Sequence, residues 1–152
     1  LERGLRTVLN PSPFDASLLK APLERLYALI VNETEARGFL ADEAEGVEAA
    51  GLMALLERRY PDVNLILTLG SRGACGRVPG AEPFFVPAVK MKAVDTTGAG
   101  DTFAGYAVAA LAAGEDLRTA MNRAAKASAI SVTREGAATS IPRRSEVEAL
   151  AV

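Results

Sequence analysis

Asp95-Thr96-Thr97-Gly98-Ala99-Gly100-Asp101 (DTTGAGD) lies between an apolar stretch and an uncharged run from Thr102 to Gly114. Gly98 and Gly100 reach backbone conformations closed to other residues and let a ligand come close to the main chain. Just ahead of a helix, the free N–H groups of such a turn and the positive end of the helix dipole make an anion site. A carboxylate there, Asp101, would repel a phosphate unless it has a task of its own. Accepting the proton of an attacking hydroxyl, while the nearby N–H groups hold the transferring phosphoryl, is such a task. The same letters also spell a glycine-rich turn with Asp101 as a plain helix N-cap, and the spacing alone leaves both readings open.

Two other phosphate motifs fail on inspection. A P-loop requires G-x-x-x-x-G-K-[ST], and Gly70 to Arg77 offers neither the second glycine in place nor the Lys-Ser/Thr pair. A dinucleotide fingerprint requires G-x-G-x-x-G, but Gly98-Ala99-Gly100 runs on into Asp101, Thr102 and Phe103.

On the N-terminal side of the turn, Leu5–Leu9, Tyr27–Val31 and Leu65–Leu69 read as core strands. Helical patterns over about Ser17–Arg25 and Glu45–Tyr60 separate them, which predicts parallel strands with crossover connections. Val47, Leu52, Leu55 and Leu56 recur near the helical period, and Pro61 stops that helix. Gly73–Val78 and Pro83–Val86, split by Pro79-Gly80, read as a small antiparallel meander. On the C-terminal side, helices are expected over about Asp101–Ala113, Asp116–Arg134 and Ser145–Leu150, with Gly114 breaking the first pair and Gly136 closing the second helix. The expected architecture is one α/β layer domain.

The 152 residues suit one compact core, and 49% hydrophobic with 24% charged residues is the balance of a globular protein. A net charge of −2, with both signs interspersed, advertises neither nucleic acid nor acidic lipid. The Thr102–Gly114 run is too short to span a membrane and reads as a packed helix. One cysteine, Cys75, forms no internal disulfide and fits a reducing cytoplasm. With no histidine, Ser-His-Asp and Cys-His catalysis and the usual zinc sites are closed, whereas phosphoryl transfer, which rests on positioning and electrostatics, is not. Leu1-Glu2-Arg3-Gly4 reads as the last turn of a helix closed by glycine, so the chain is expected to be a portion of something longer.

The DTTGAGD turn, followed by Thr102-Phe103 and Gly105, resembles the C-terminal signature of the ribokinase/phosphofructokinase-B family of carbohydrate kinases. Four further segments are similar to motifs of that family in the same order. They are Asn10-Pro11-Ser12-Pro13, Asn32-Glu33-Thr34-Glu35, Thr68-Leu69-Gly70-Ser71-Arg72-Gly73 and Ser131-Val132-Thr133-Arg134-Glu135-Gly136-Ala137, with the wording closest to the ribokinase branch. The resemblance implies a ribokinase-like three-layer α/β sandwich with a mostly parallel sheet, of which residues 1–152 are the C-terminal nucleotide-binding and catalytic part, the N-terminal sugar-binding half being absent.

It also implies roles. Asp101 would be the general base, with Gly98, Ala99 and Gly100 as the anion hole. Asn32 and Glu35 would act near the phosphates, Glu35 placing magnesium through water. Thr68, Gly70, Ser71 and Gly73 would line the path of ATP. Asp95, Thr97, Ser131, Arg134, Gly136 and Ser140 match positions that hold a monovalent cation, potassium, several through main-chain carbonyls. Each set has a plainer alternative: a capping box for Asn32 and Glu35, a strand-end turn for the Thr68–Gly73 segment, and ordinary turn chemistry for the cation set. Where many relatives carry Asn or His beside the adenine, this chain has Ala125, with Lys126 next to it. The implied activity is phosphorylation of a sugar hydroxyl by ATP, ribose being the sugar the resemblance favours. The implied partners are that sugar together with the absent half or a second copy of the chain. The competing readings are a nucleotide-binding regulatory module and an inactive fragment.

Overall fold

The computed structural model describes residues 4–151. The Leu1–Gly4 helix end therefore lies largely outside the described residues. Two compact units emerge, one of residues 4–70 with Ala74–Phe85, the other of Ser71–Gly73 with residues 86–151.

The first unit carries a sheet ordered β1 (Val8–Leu9), β2 (Ala28–Asn32), β3 (Asn64–Thr68), β4 (Gly73–Arg77) and β5 (Phe84–Pro87). β1, β2 and β3 run parallel, and β4 pairs antiparallel to β3. Ala28, Leu29, Ile30 and Val31 are all fully buried, as expected of a central strand covered on both faces. Helices α1 (Glu33–Leu40) and α2 (Ala49–Arg59) make the crossover from β2 to β3. Leu29, Val31, Leu65 and Leu67 from one sheet face pack with Phe39, Leu52, Met53 and Leu56 of the helices. Each such side chain contributes about 1.5–3 kcal/mol by leaving water. Phe39 is set edge-on against Phe14 (centroids 4.9 Å) and Tyr60 (6.5 Å), the favoured arrangement of ring quadrupoles.

Three local expectations are corrected. The strand foreseen over Leu5–Leu9 shrinks to Val8–Leu9, and Leu5 is 70% exposed, so its apolar character does not enter the core. The helix foreseen over Ser17–Arg25 is two short 3-10 turns, Ala16–Lys20 and Leu23–Arg25, because Pro22 lacks the N–H a continuous helix needs. α2 starts at Ala49 rather than Glu45: residues Ala41–Ala44 form their own 3-10 turn and Gly46 takes a positive φ of 68°, which no right-handed helix contains. α1 was absent from the periodic pattern, being only 8 residues long.

The second unit is a helical hairpin with a short third helix: α3 (Ala99–Ala112), α4 (Leu117–Ser131) and α5 (Arg144–Ala149). Ala107, Ala110, Ala120, Ala124 and Ala127 are buried with 1% exposure or less, and such small side chains let helix backbones approach closely. Gly114 (φ 89°) makes the turn, and the Glu115 amide donates back to Ala110 O at 3.1 Å. Asp116 caps α4, accepting from the Thr119 amide at 2.9 Å. α4 ends at Ser131, three residues short of the expected Arg134, where the Thr133 and Arg134 amides turn to the carbonyls of Ile130 and Ser131. Val147 of α5 packs on Ala127 and Ile130. Among the described residues no helix is long and apolar enough to cross a membrane.

Candidate active site

Within the first unit, the polar residues of interest gather at the carboxyl ends of the parallel strands, where open α/β sheets bind their ligands. Asn32 ends β2, Thr68 ends β3, and the two are partners in register. Asn10 follows β1 and donates from Nδ2 to Ile30 O at 2.9 Å. The Thr68 hydroxyl donates to Val31 O at 3.4 Å. Asn32 and Glu35 form a complete capping box on α1: Asn32 Oδ1 accepts from the Glu35 amide, and Glu35 Oε2 accepts from the Asn32 amide, both at 2.9 Å. Glu35 is buried to 5% exposure, so its carboxylate sits in the positive field of the α1 N-terminus. The plainer reading of this pair is thus present in full, and it occupies one carboxylate oxygen. Gly70 turns the chain at φ 58° with open space around it.

In the second unit, Ser71 is exposed, while Gly73 (φ 125°) has a strict steric reason to be glycine: a Cβ would lie 2.2 Å from Val86 O. The DTTGAGD turn opens α3. Gly98, at φ 72°, is the helix N-cap, and a Cβ on it would stand 3.1 Å from that of Ala137. Gly98 therefore uses its conformational freedom, but Gly100 does not. Gly100 lies inside the first helical turn without a positive φ, and a Cβ there would meet nothing within 4 Å. What glycine preserves at position 100 is room, not conformation.

Asp101 is the third residue of α3, not its cap, and its side chain is exposed. The Ala99 amide turns back to Thr96 O (3.2 Å) and the Thr102 amide to Gly98 O (2.8 Å), whereas among the described residues the amides of Gly100 and Asp101 have no acceptor. Two unsatisfied donors at the positive end of a 14-residue helix, beside an uncommitted carboxylate, suit an anion that must react. Sequence reading passed over Thr102, which is 2% exposed with its Oγ1 unpartnered.

The expected cation residues are partly drawn together. Asp95 Oδ1 accepts from the Thr97 amide and Oδ2 from the Gly136 amide, each at 2.9 Å, so one carboxylate ties the glycine turn to the loop after α4. The bonds from Thr97, then from Gly136, hold this carboxyl below its ordinary range. The hydroxyls of Ser131 and Ser140, both buried, are spent on Ser128 O (2.8 Å) and Ala137 O (2.7 Å). Arg134 is ion-paired with Glu146. Apart from the Asp95 carboxylate, this set could offer a cation mainly main-chain carbonyls. Among the described residues no cluster of acidic, histidine or cysteine side chains is arranged to hold a metal. Ala125 is buried and brings no polar group to a base, and Lys126 Nζ donates to Leu150 O at 2.7 Å.

These observations separate folding from binding at position 100. Gly100→Ala is expected to leave the unfolding midpoint unchanged or raised, since alanine favours helix by about 0.8–1 kcal/mol over glycine. A Cβ in a first turn tilts toward the helix N-terminus, over the free amides. Affinity for inorganic tripolyphosphate should therefore fall about tenfold, the equivalent of one displaced charge-assisted hydrogen bond. Calorimetry alongside denaturant unfolding on one preparation checks both.

Residues 3–144 match the model of the pfkB family of carbohydrate kinases. The chain is 36% identical over 155 aligned positions to the ribokinase of Schizosaccharomyces pombe, covering 97% of this chain and 47% of that one. It is 37% identical to the ribokinase of Haemophilus influenzae, covering 95% and 47%. Among solved structures, the ribokinase of Cryptococcus neoformans in complex with ADP superposes with a TM-score of 0.84 at 35% identity, over 97% of this chain and 53% of that one. The chain thus spans about half the length of the relatives it matches. Similarity of this extent, over both units and with the ribokinase-like α/β fold, places the chain in the pfkB family of carbohydrate kinases.

Proposed function

We propose that the chain is the nucleotide-binding and catalytic part of an ATP-dependent sugar kinase, with ribose the first acceptor to test. The observation that carries this reading is the start of α3, where the unpartnered amides of Gly100 and Asp101 accompany an exposed carboxylate that caps nothing. Asp101 accepts the proton of the attacking sugar hydroxyl, and the free amides of Gly100 and Asp101, in the turn opened by Gly98 and Ala99, stabilise the charge on the transferring phosphoryl. The carboxyl ends of β2 and β3, with Asn32, Glu35, Thr68 and Gly70, together with Ser71 and Gly73, line the nucleotide path. Magnesium, which would neutralise phosphate charge in phosphoryl transfer, would be held by Glu35 through water. Potassium would be held between residues 95–97 and residues 131–140, by Asp95, Thr97, Ser131, Arg134, Gly136 and Ser140, and would add a fixed positive charge beside the anion hole. The single cysteine, Cys75, supports a cytoplasmic setting for the enzyme.

Since the relatives are about twice as long, the acceptor-binding residues are assigned to a part of the protein beyond this chain. The chain by itself is then expected to bind an ATP analogue weakly without phosphorylating sugar, because orienting the second reactant can supply about 7–11 kcal/mol of a barrier. Calorimetry with the analogue, in potassium and in a bulky organic cation at equal ionic strength, and a coupled assay with ribose test this. No nucleotide binding would sink the functional reading. Sugar phosphorylation by the chain alone would sink the division of labour.

A further inference from the structure

The hydrogen bonds around α4 point to a residue that no motif singles out. Ser128 sits in the last turn of α4, part-buried, and its Oγ donates to Ala99 O at 3.1 Å. Ala99 is the first residue of α3, and its carbonyl also receives the helical bond from the Phe103 amide. Ser128 thus holds the first peptide of the turn in which the Gly100 and Asp101 amides have no acceptor among the described residues. The main chain of Ser128 is itself fixed from below: its carbonyl accepts from Ser131 Oγ at 2.8 Å and from the Val132 amide at 3.2 Å. Val132 O in turn accepts from the amides of Val94 (2.7 Å) and Asp95 (3.2 Å). The Asp95 carboxylate closes the circuit on Thr97 and Gly136.

We propose that Ser128 is a positioning residue: its hydroxyl sets the entry angle of α3, and so the aim of the Gly100 and Asp101 amides, relative to the loop held by Asp95. The proposal rests on the kinase reading for its functional meaning, but not for its geometry. Without the hydroxyl, Ala99 O keeps one helical bond and the first turn of α3 is free to fray, while α4, in which alanine is a better helix former than serine, stays intact.

The test compares Ser128→Ala and Ser128→Thr with the wild-type chain. The first readout is amide hydrogen exchange at Thr102 and Phe103, whose bonds close the first turn of α3, against amides in the middle of α2 and α4. The second is affinity for inorganic tripolyphosphate and for a non-hydrolysable ATP analogue. In Ser128→Ala, exchange at Thr102 and Phe103 should quicken by about five- to tenfold, the worth of one neutral hydrogen bond, with the reference amides and the unfolding midpoint unchanged. Tripolyphosphate affinity should fall by a similar factor, and Ser128→Thr should restore both. Unchanged exchange at Thr102 and Phe103, faster exchange everywhere, or no rescue by threonine overturns the proposal. A wild-type chain that binds neither probe overturns the kinase reading instead, with the exchange comparison still deciding the role of Ser128.

Discussion

Asp101→Asn is expected to lower sugar phosphorylation by about a hundred- to ten-thousand-fold, the usual worth of a general base, in a protein that includes the acceptor-binding part. Folding should hardly change. Asp101 is exposed at the third position of α3, caps no amide, and contributes at most a favourable charge at the helix N-terminus, about 0.3–1 kcal/mol. Nucleotide affinity should hold or improve, because a negative charge beside the phosphates is removed. This triple signature of lost turnover, kept stability and kept binding separates a base from a structural carboxylate. Turnover within a few-fold of wild type, measured with nucleotide saturating, would show that the proton leaves by another route. The relatives named as ribokinases make ribose the rational acceptor for that assay.

Gly73→Ala is expected to cost about 4 kcal/mol of stability. Alanine at such a positive φ costs about 1–3 kcal/mol, and overpacking adds about 1–3 kcal/mol. Here the obstacle is backbone: a Cβ would lie 2.2 Å from Val86 O, 2.8 Å from Ala88 N and 2.9 Å from Pro87 C, so no side-chain rotamer can give way. The Ala88 amide, which donates to Arg72 O at 3.3 Å, would be pushed off its acceptor. Against a total stability of about 5–15 kcal/mol, such a loss leaves about 1–11 kcal/mol, so an appreciable unfolded fraction is expected only at the low end of that range. The adjacent Ser71→Ala, at an exposed position, should stay within about 0.5 kcal/mol of wild type. Denaturant midpoints for the pair decide the matter. A stable Gly73→Ala would mean that β4 and the 86–88 segment can separate at little cost, and that glycine at 73 serves the ligand rather than the fold.

The two glycines of the DTTGAGD turn show where sequence reading stops. Both were expected to serve by conformational freedom and by letting a ligand come close to the main chain, yet only Gly98 takes a positive φ, and Gly100, in ordinary helix, retains only the second reason. A glycine letter says that a side chain is absent, and only the surrounding atoms say whether conformation or space required it. The N-cap alternative for Asp101 fell for a similar reason: the helix begins two residues earlier, at Ala99, because Gly98 can occupy the capping position that the carboxylate was expected to fill. At Asn32 the plainer alternative held, since a capping box is a four-residue pattern, Asn32 to Glu35, legible in any helix start.

What the sequence determined by itself is therefore local. The α/β class, the strands β2 and β3, the stop of α2 at Pro61, the hairpin of α3 and α4, and the helix opened by DTTGAGD follow from periodicity and turn chemistry within windows of about 11–18 residues. The motif order was enough to indicate the kinase family. Tertiary structure decided the rest. Only strand register makes Asn32 and Thr68 neighbours. Only folding lets the Asp95 carboxylate reach the Gly136 amide across 41 residues, or the Ser128 hydroxyl reach Ala99 O across 29. These bonds join a side chain to a distant main-chain group that every residue type carries, so nothing in the distant residue's letter announces them, and they exist only once packing has paired the elements.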